Sequence, residues 1–466
     1  MPIRARSGFP ILPAALVGAY ASLIAVWPDS SGKIPLAIPL ALAPLVAWLL
    51  AGPVNWLAMF LFTVLLLPPL PFALGESGPH PGIAVAAVGL AVGCLRFDEW
   101  RIPFDSLSRR LSIFAAALLA SVPMALFYSG DAVAAGSLAR VALFCISVYV
   151  FFYSRSGPGA GAYNEFRAVR FLFLAGAASA LFACVDFYFQ FPPPAGYGPQ
   201  FIWLASGVYR RAQGVFYDAG ALGNVCAFFL VMIATALFPP RAARPVSRPL
   251  LLGGGLAFSA ALLLSFSRSS LVNLAVALCA LLYLHRGRIR WRRFFTTGAL
   301  AVIGVVVVTL AVLPVFAQLY WTRLFNSFRY FIESPNSILS GRLDTWSYLL
   351  QFVSLHPLYA LLGVGYKTLP YSQFLGRTVI ADNSYLSLFI ETGVFGLAAV
   401  LALSFAILKA SRRAARSTEP VASFFGTWMF CFWCGEMAQM MSGDILTYWR
   451  VLPLYFWVLA AAVRNR

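Results

Sequence analysis

Residues 219–238, AGALGNVCAFFLVMIATALF, run for twenty positions without an Asp, Glu, Lys or Arg, between Asp218 and the Pro239-Pro240-Arg241 break. At 1.5 Å per residue a helix of that length reaches about 30 Å, the thickness of a bilayer's hydrocarbon core. Lipid offers no hydrogen bonds, and a helix satisfies its own backbone, so the run reads as a membrane span. The pattern recurs. Further spans are expected near 9–27, 34–51, 54–73, 81–96, 111–128, 133–153, 170–191, 249–265, 270–284, 295–316, 385–409, 421–440 and 446–463, about fourteen in all. Over 466 residues the chain is 61% hydrophobic and 11% charged, whereas soluble domains carry about 45–50% and about 25%. A porin-type barrel would show short alternating strands instead of these continuous runs. The expected fold is therefore all-α, a polytopic helical bundle forming one integral membrane domain over 1–466.

A formal charge of +18 would suit a nucleic-acid partner, but its placement explains it otherwise. Most of the basic residues fall in alternate connections, such as Arg96 to Arg110, Arg155 to Arg170, Arg241 to Arg248, Arg286 to Arg293 and Lys409 to Arg416. Lys and Arg gather on the cytoplasmic side of membrane proteins. The expected topology has both termini cytoplasmic, membrane lipids as neighbours and no nucleic acid. Phe9 to Val17 after Arg4 and Arg6 has the shape of a signal peptide, with Ala19-Tyr20-Ala21 as a cleavage site. The apolar run continues to Trp27, which suits an uncleaved first span better. All seven cysteines lie in or at the ends of expected helices and read as small apolar residues. Cys431 and Cys434 have redox-motif spacing, but mid-span they read as packing. Three widely separated histidines give no metal-site pattern, and neither metal nor cofactor is expected.

Two connections on the opposite face are long: 192–218, and 317–384, the only long stretch that does not span. Within the second, Leu343, Trp346, Leu350 and Val353 recur at helical spacing, with Ser340-Gly341 as a start and His356-Pro357 as a stop. They predict an amphipathic helix lying on the membrane face. A glycine-rich turn, Leu362 to Lys367, follows, and the chain re-enters the bilayer at Ala381-Asp382-Asn383-Ser384-Tyr385-Leu386.

Several stretches in this order resemble the O-antigen ligase and O-antigen polymerase superfamily. They are Tyr209 to Phe216 (YRRAQGVF), Ser265 to Ser270 (SFSRSS), Gly341 to Trp346 (GRLDTW), His356-Pro357, Gly363-Val364-Gly365, Asp382 to Leu386 and Glu391 to Gly396 (ETGVFG). The resemblance implies a metal-independent glycosyltransferase at the periplasmic face of a bacterial inner membrane. Its donor would be a glycan on undecaprenyl pyrophosphate, and its acceptor a second lipid-linked repeat or lipid A-core.

The residues meet what such a site requires. A pyrophosphate leaving group gathers negative charge, and arginine's planar fork grips phosphate oxygens while staying charged. Arg210, Arg211, Arg268 and Arg342 are the candidates, with Arg268, Arg342 and Asp382 expected to be catalytic. Each has a plainer alternative: Arg210 or Arg211 pairing with Asp218, Arg268 snorkelling to the headgroups, Arg342 pairing with Asp344. In the ligase branch a histidine precedes the Asn of the last motif. Here that residue is Asp382, no histidine follows His356, and Asp382 becomes the candidate base. Asp382 and Asn383 could equally be caps of the next helix. Asn383, Tyr385, Lys367, His356 and Glu391 are further candidates for substrate contact, while Lys367 and Arg377 suit headgroup contacts and Glu391 a structural pair. Asp186 and Glu436, also inside spans, read as structural partners. The missing histidine favours a polymerase, with a ligase as alternative. A lipid-linked oligosaccharide flippase would instead show repeated halves, broken helices and polar residues at mid-bilayer, none of which the sequence reveals.

Overall fold

Apolar runs that must satisfy their own backbone become helices. The computed structural model describes residues 18–23, 26, 30–72, 78–194, 196–204, 207–237, 244–287, 318, 321, 322, 325 and 341–464. Its helices are α1 (Ser30–Ala51), α2 (Asn55–Leu66), α3 (Pro81–Leu95), α4 (Ser106–Ala120), α5 (Val122–Ser129), α6 (Asp131–Ser156), α7 (Glu165–Phe189), α8 (Ala219–Leu237), α9 (Arg248–Leu264) and α10 (Arg268–His285). After the undescribed stretch come α11 (Arg342–Leu355), α12 (Pro357–Leu362), α13 (Ser384–Ala415), α14 (Pro420–Gln439) and α15 (Leu452–Val463). Among the described residues, six helical stretches are long and apolar enough to cross a membrane: Ser106–Ser129 (α4 with α5), α6, α7, α8, α10 and α13. Most of α2, α3, α9, α15 and the end of α1 are shorter apolar helices. The expected span 295–316 lies outside the described residues, as does most of 9–27.

Three departures have local causes. The 111–128 span divides at Ser121, where Pro123 opens the second helix. The last helix begins at Leu452 rather than 446, after a short 3-10 turn over Ile445–Thr447. The connection 192–218 holds a β-hairpin, β1 (Phe201–Leu204) with β2 (Gly207–Arg210), paired Phe201 to Arg210 and Leu204 to Gly207. This small sheet modifies the all-α expectation.

The centre is formed by α8, α14 and α15. In α8 78% of the span is buried among the described residues, against 22% in α10. Around this axis α14 packs on α8, α10, α13 and α15, and Trp428 donates to the Phe228 carbonyl at 2.9 Å. One helix is broken: α13 has a non-helical residue at Gly393, φ +68 and ψ −173. There the N–H groups of Val364 and Gly365 donate to the carbonyls of Ile390 (3.0 Å) and Glu391 (2.8 Å). The turn before the helix thus satisfies the carbonyls that the kink releases.

A second tie uses charge. Arg450, buried, donates to the carbonyls of Val215, Val64 and Leu67 at 2.6, 2.9 and 2.8 Å. His80 caps α3: its Nδ1 accepts from Gly82 N–H, and its Nε2 lies 3.0 Å from the Leu67 carbonyl. Burial, reinforced by the Arg450 charge, pushes the His80 pKa down to about 3 from 6.5. A depressed histidine pKa means that the unfolded chain binds the proton first, so stability falls as pH drops below about 6.5 and continues to fall toward about 3. Thermal unfolding in detergent is expected to shift down between pH 7 and pH 4.5. His80→Gln, less stable at pH 7, should show a visibly smaller shift across that range; an identical shift would rule out His80 as its source.

Candidate functional site

Arg211 and Arg268 are brought together by backbone ties. α10 opens at Ser267, whose Oγ caps the helix by accepting from Ser270 N–H, after Phe266 in the left-handed region at φ +50. The end of the hairpin docks on this turn: Ala212 N–H donates to the Leu264 carbonyl (2.9 Å) and Arg211 Nε to the Ser265 carbonyl (2.8 Å). Successive side chains of an extended strand face opposite ways, so Arg210 is directed elsewhere. Its Nη2 lies 3.4 Å from Asp186 Oδ1 and donates to the Phe191 carbonyl at 3.0 Å, with Asp186 buried and Arg210 half-buried. Arg210 therefore anchors the hairpin to α7, and Asp218 instead accepts from Gln200 and Ala221 N–H.

Arg342 and Asp382 come from opposite sides of the glycine-rich turn. A helix forms between Gly341, in the left-handed region (φ +77), and His356, but it buries Leu349 and Val353 and leaves Leu350 exposed, so the expected apolar face is only partly the one used. Arg342 and Trp346 lie one turn apart on the same face. Trp346 Nε1 donates to the Ala381 carbonyl at 2.7 Å, and Arg342 Nε and Nη2 each lie 3.1 Å from Asp382 Oδ2. Both members of this pair are partly exposed, at 27% and 43%, which limits its worth to about 1 kcal/mol or less. Asn383 caps α13, its Oδ1 accepting from Tyr385 and Leu386 N–H. Ser384 N–H donates to the carbonyls of Met440 (2.8 Å) and Gly443 (3.2 Å), fixing the loop from below.

The charges of Arg342 and Arg211 both bear on Arg268. Three guanidinium groups, from the hairpin, the start of α10 and the start of α11, thus share one field at one end of the bundle. The amino-terminal turn of α10 adds its own positive potential. Asp382, held against Arg342, is the carboxylate at its edge. Such an arrangement can hold a polyanion with several oxygens while leaving one acidic group for a neutral hydroxyl.

The remaining candidates lie apart from the cluster. Lys367 is buried, 3% exposed, and forms an ion pair with Asp444. Glu391 is buried at the α13 kink; its Oε1 accepts weakly from Leu369 N–H at 3.4 Å, and Oε2 has no hydrogen-bond partner among the described residues. Tyr385 donates to the Met437 carbonyl at 3.0 Å. His356 is exposed against Phe352 and Tyr359, and Arg377 lies over the Tyr348 ring, 4.2 Å from its centroid.

Beneath Arg268 lies a polar network that the sequence reading missed. Glu436 Oε2 accepts from Asn224 (2.7 Å) and Asn273 (2.8 Å), and both amides also donate to Gln439 Oε1 at 2.9 Å. Gln439 Nε2 then donates to Ser270 Oγ at 3.1 Å, and Ser270 meets Ser267 at 2.8 Å. Tyr455 closes the network by donating to Asn224 Oδ1. Four helices are therefore joined directly under the turn that carries Arg268. The available signal was polar residues within apolar spans, which mark function or structure by default. Glu436 does have structural partners, as expected, but they are amides.

Residues 253–401 match the family model described as O-antigen ligase. The matched stretch includes Arg268, Arg342, Asp382 and Glu391; Arg211 lies before it. No curated protein matches the chain. The match covers the segments that carry most of the arginine cluster, and over them the chain is similar to the O-antigen ligase/polymerase superfamily.

Proposed function

We propose that the chain is a metal-independent glycosyltransferase that polymerises undecaprenyl-pyrophosphate-linked repeats at the periplasmic face. The observation that carries this reading is the convergence of Arg211, Arg268 and Arg342 from three distant segments. About fourteen spans, cytoplasmic termini and periplasmic connections at 192–218 and 317–384 complete the proposal, placing the cluster on the outer side. Arg211 takes the place first shared between Arg210 and Arg211. The acceptor hydroxyl attacks the donor's anomeric carbon, a new glycosidic bond forms, and the bond to the pyrophosphate breaks. The three arginines hold the leaving oxygens, and the hydroxyl proton passes to the Asp382 carboxylate. Fixed charges that need no reorganisation are the most effective form of such stabilisation.

Two other readings keep specific support. The matched family is described as O-antigen ligase, which favours lipid A-core as acceptor. The broken α13 and the buried network beneath Arg268 are features that a flippase would use. Purified protein given labelled lipid-linked repeats separates all three. Longer glycans mean a polymerase, transfer to lipid A-core a ligase, and movement between leaflets without new bonds a flippase. Asp382→Asn keeps the shape of the loop and removes the proton acceptor. Its expected effect is a fall of about 100-fold or more in glycosyl transfer, with donor binding retained; unchanged turnover would remove Asp382 from the mechanism.

A further inference from the structure

At the other end of the bundle, an apolar groove of about 280 Å³ opens between α2, α7 and α15. It shares no residue with the arginine cluster. Leu57, Ala58 and Leu61 form the wall from α2, Leu172 and exposed Phe171 the wall from α7, and Trp457 the base. Phe171 also stacks on Phe62 at 6.1 Å, extending the outer lip. The groove exists because α2 is only twelve residues long and starts beyond the Gly52-Pro53 break, so it leaves α7 uncovered. At its rim stands Arg167, exposed and without an ion pair or side-chain hydrogen bond among the described residues. The nearest acidic residue in sequence, Glu165, is paired with Arg464 instead.

We infer that this groove binds one phospholipid with a net-negative headgroup, an acyl chain between α2 and α7 and its phosphate on Arg167. Two separate features point to that occupant. The walls are apolar and open outward, where the surrounding solvent is hydrocarbon, so a chain segment fills the space without exposing polar atoms. Arg167 at the rim selects for charge, as basic residues between membrane helices do for anionic headgroups. The site is distinct from any glycan-bearing lipid at the opposite end.

Native mass spectrometry of the full chain, titrated with phosphatidylglycerol or phosphatidylcholine, tests this. Phosphatidylglycerol is expected to bind at least about fivefold more tightly than phosphatidylcholine, and Arg167→Gln to abolish that preference. Ala58→Leu, which narrows the groove without touching charge, should weaken binding of phosphatidylglycerol. Arg167 is exposed, so its variant should keep the wild-type unfolding temperature and glycosyl transfer. Equal affinity for the two lipids, full binding by Arg167→Gln, or full binding by Ala58→Leu would each overturn the proposal, the last by separating headgroup attraction from the groove.

Discussion

Arg268→Ala is expected to lower glycosyl transfer by about 100- to 1,000-fold, the range measured when one preorganised charge-stabilising donor is removed from an active site. Three features set that size. The charges of both other guanidinium groups bear on Arg268, it stands at the first turn of α10, and the turn beneath it is braced by Ser270, Gln439 and Glu436. Arg268→Lys restores charge but not the planar fork and should recover only part of the loss. The measurement is single-turnover extension of a labelled lipid-linked repeat by purified protein, with the unfolding temperature recorded alongside. A folded Arg268→Ala protein with wild-type turnover would dissolve the pyrophosphate clamp.

Gly393→Ala is the second large effect, and it falls on folding. At φ +68 and ψ −173 the residue lies in a region that only glycine occupies readily. An added Cβ would meet the Leu361 carbonyl oxygen at 2.1 Å, and one on facing Gly363 would meet the Glu391 carbonyl oxygen at 2.4 Å. Strain and overpacking together should cost about 3 kcal/mol or more. The expected result is little monodisperse protein after mild heating in detergent. Gly253→Ala, where nothing lies within 4 Å of the added carbon, should behave as wild type. Equal survival of the two variants would show that the kink is not a constraint.

The helices were legible because hydropathy alone decides which segments enter lipid, and that signal is local. The start of α11 at Gly341 and its stop at His356 were legible for a similar reason, since both are written in a few adjacent residues. The break in α13 was not, because Gly393 sits within a long apolar run that reads as one span; the kink comes from a turn nearly thirty residues earlier. The hairpin over Phe201–Arg210 escaped notice because its strands are only four residues each. Of the candidate site, the sequence named Arg211, Arg268, Arg342 and Asp382 but could not separate Arg211 from Arg210. Their roles part through strand alternation and a partner in α7. Lys367 looked like a surface cation until Asp444, far along the chain, closed over it. Charge pairs across that distance have no local signature.

The bond from Ser384 N–H to the carbonyls of Met440 and Gly443 also bears on when the protein becomes competent during its synthesis. Membrane helices enter in order as the ribosome delivers them, and every arginine of the cluster has left the ribosome before Met440 is made. The loop carrying Asp382 gains its support only after α14 has inserted and the chain has turned back. Gln439, which braces the Arg268 turn, arrives at the same late moment. A chain stalled ahead of that turn carries all three cations in the membrane yet lacks the frame that aligns them. Competence is thus coupled to the late delivery of α14 and the turn after it, which a chain stalled ahead of them does not yet have.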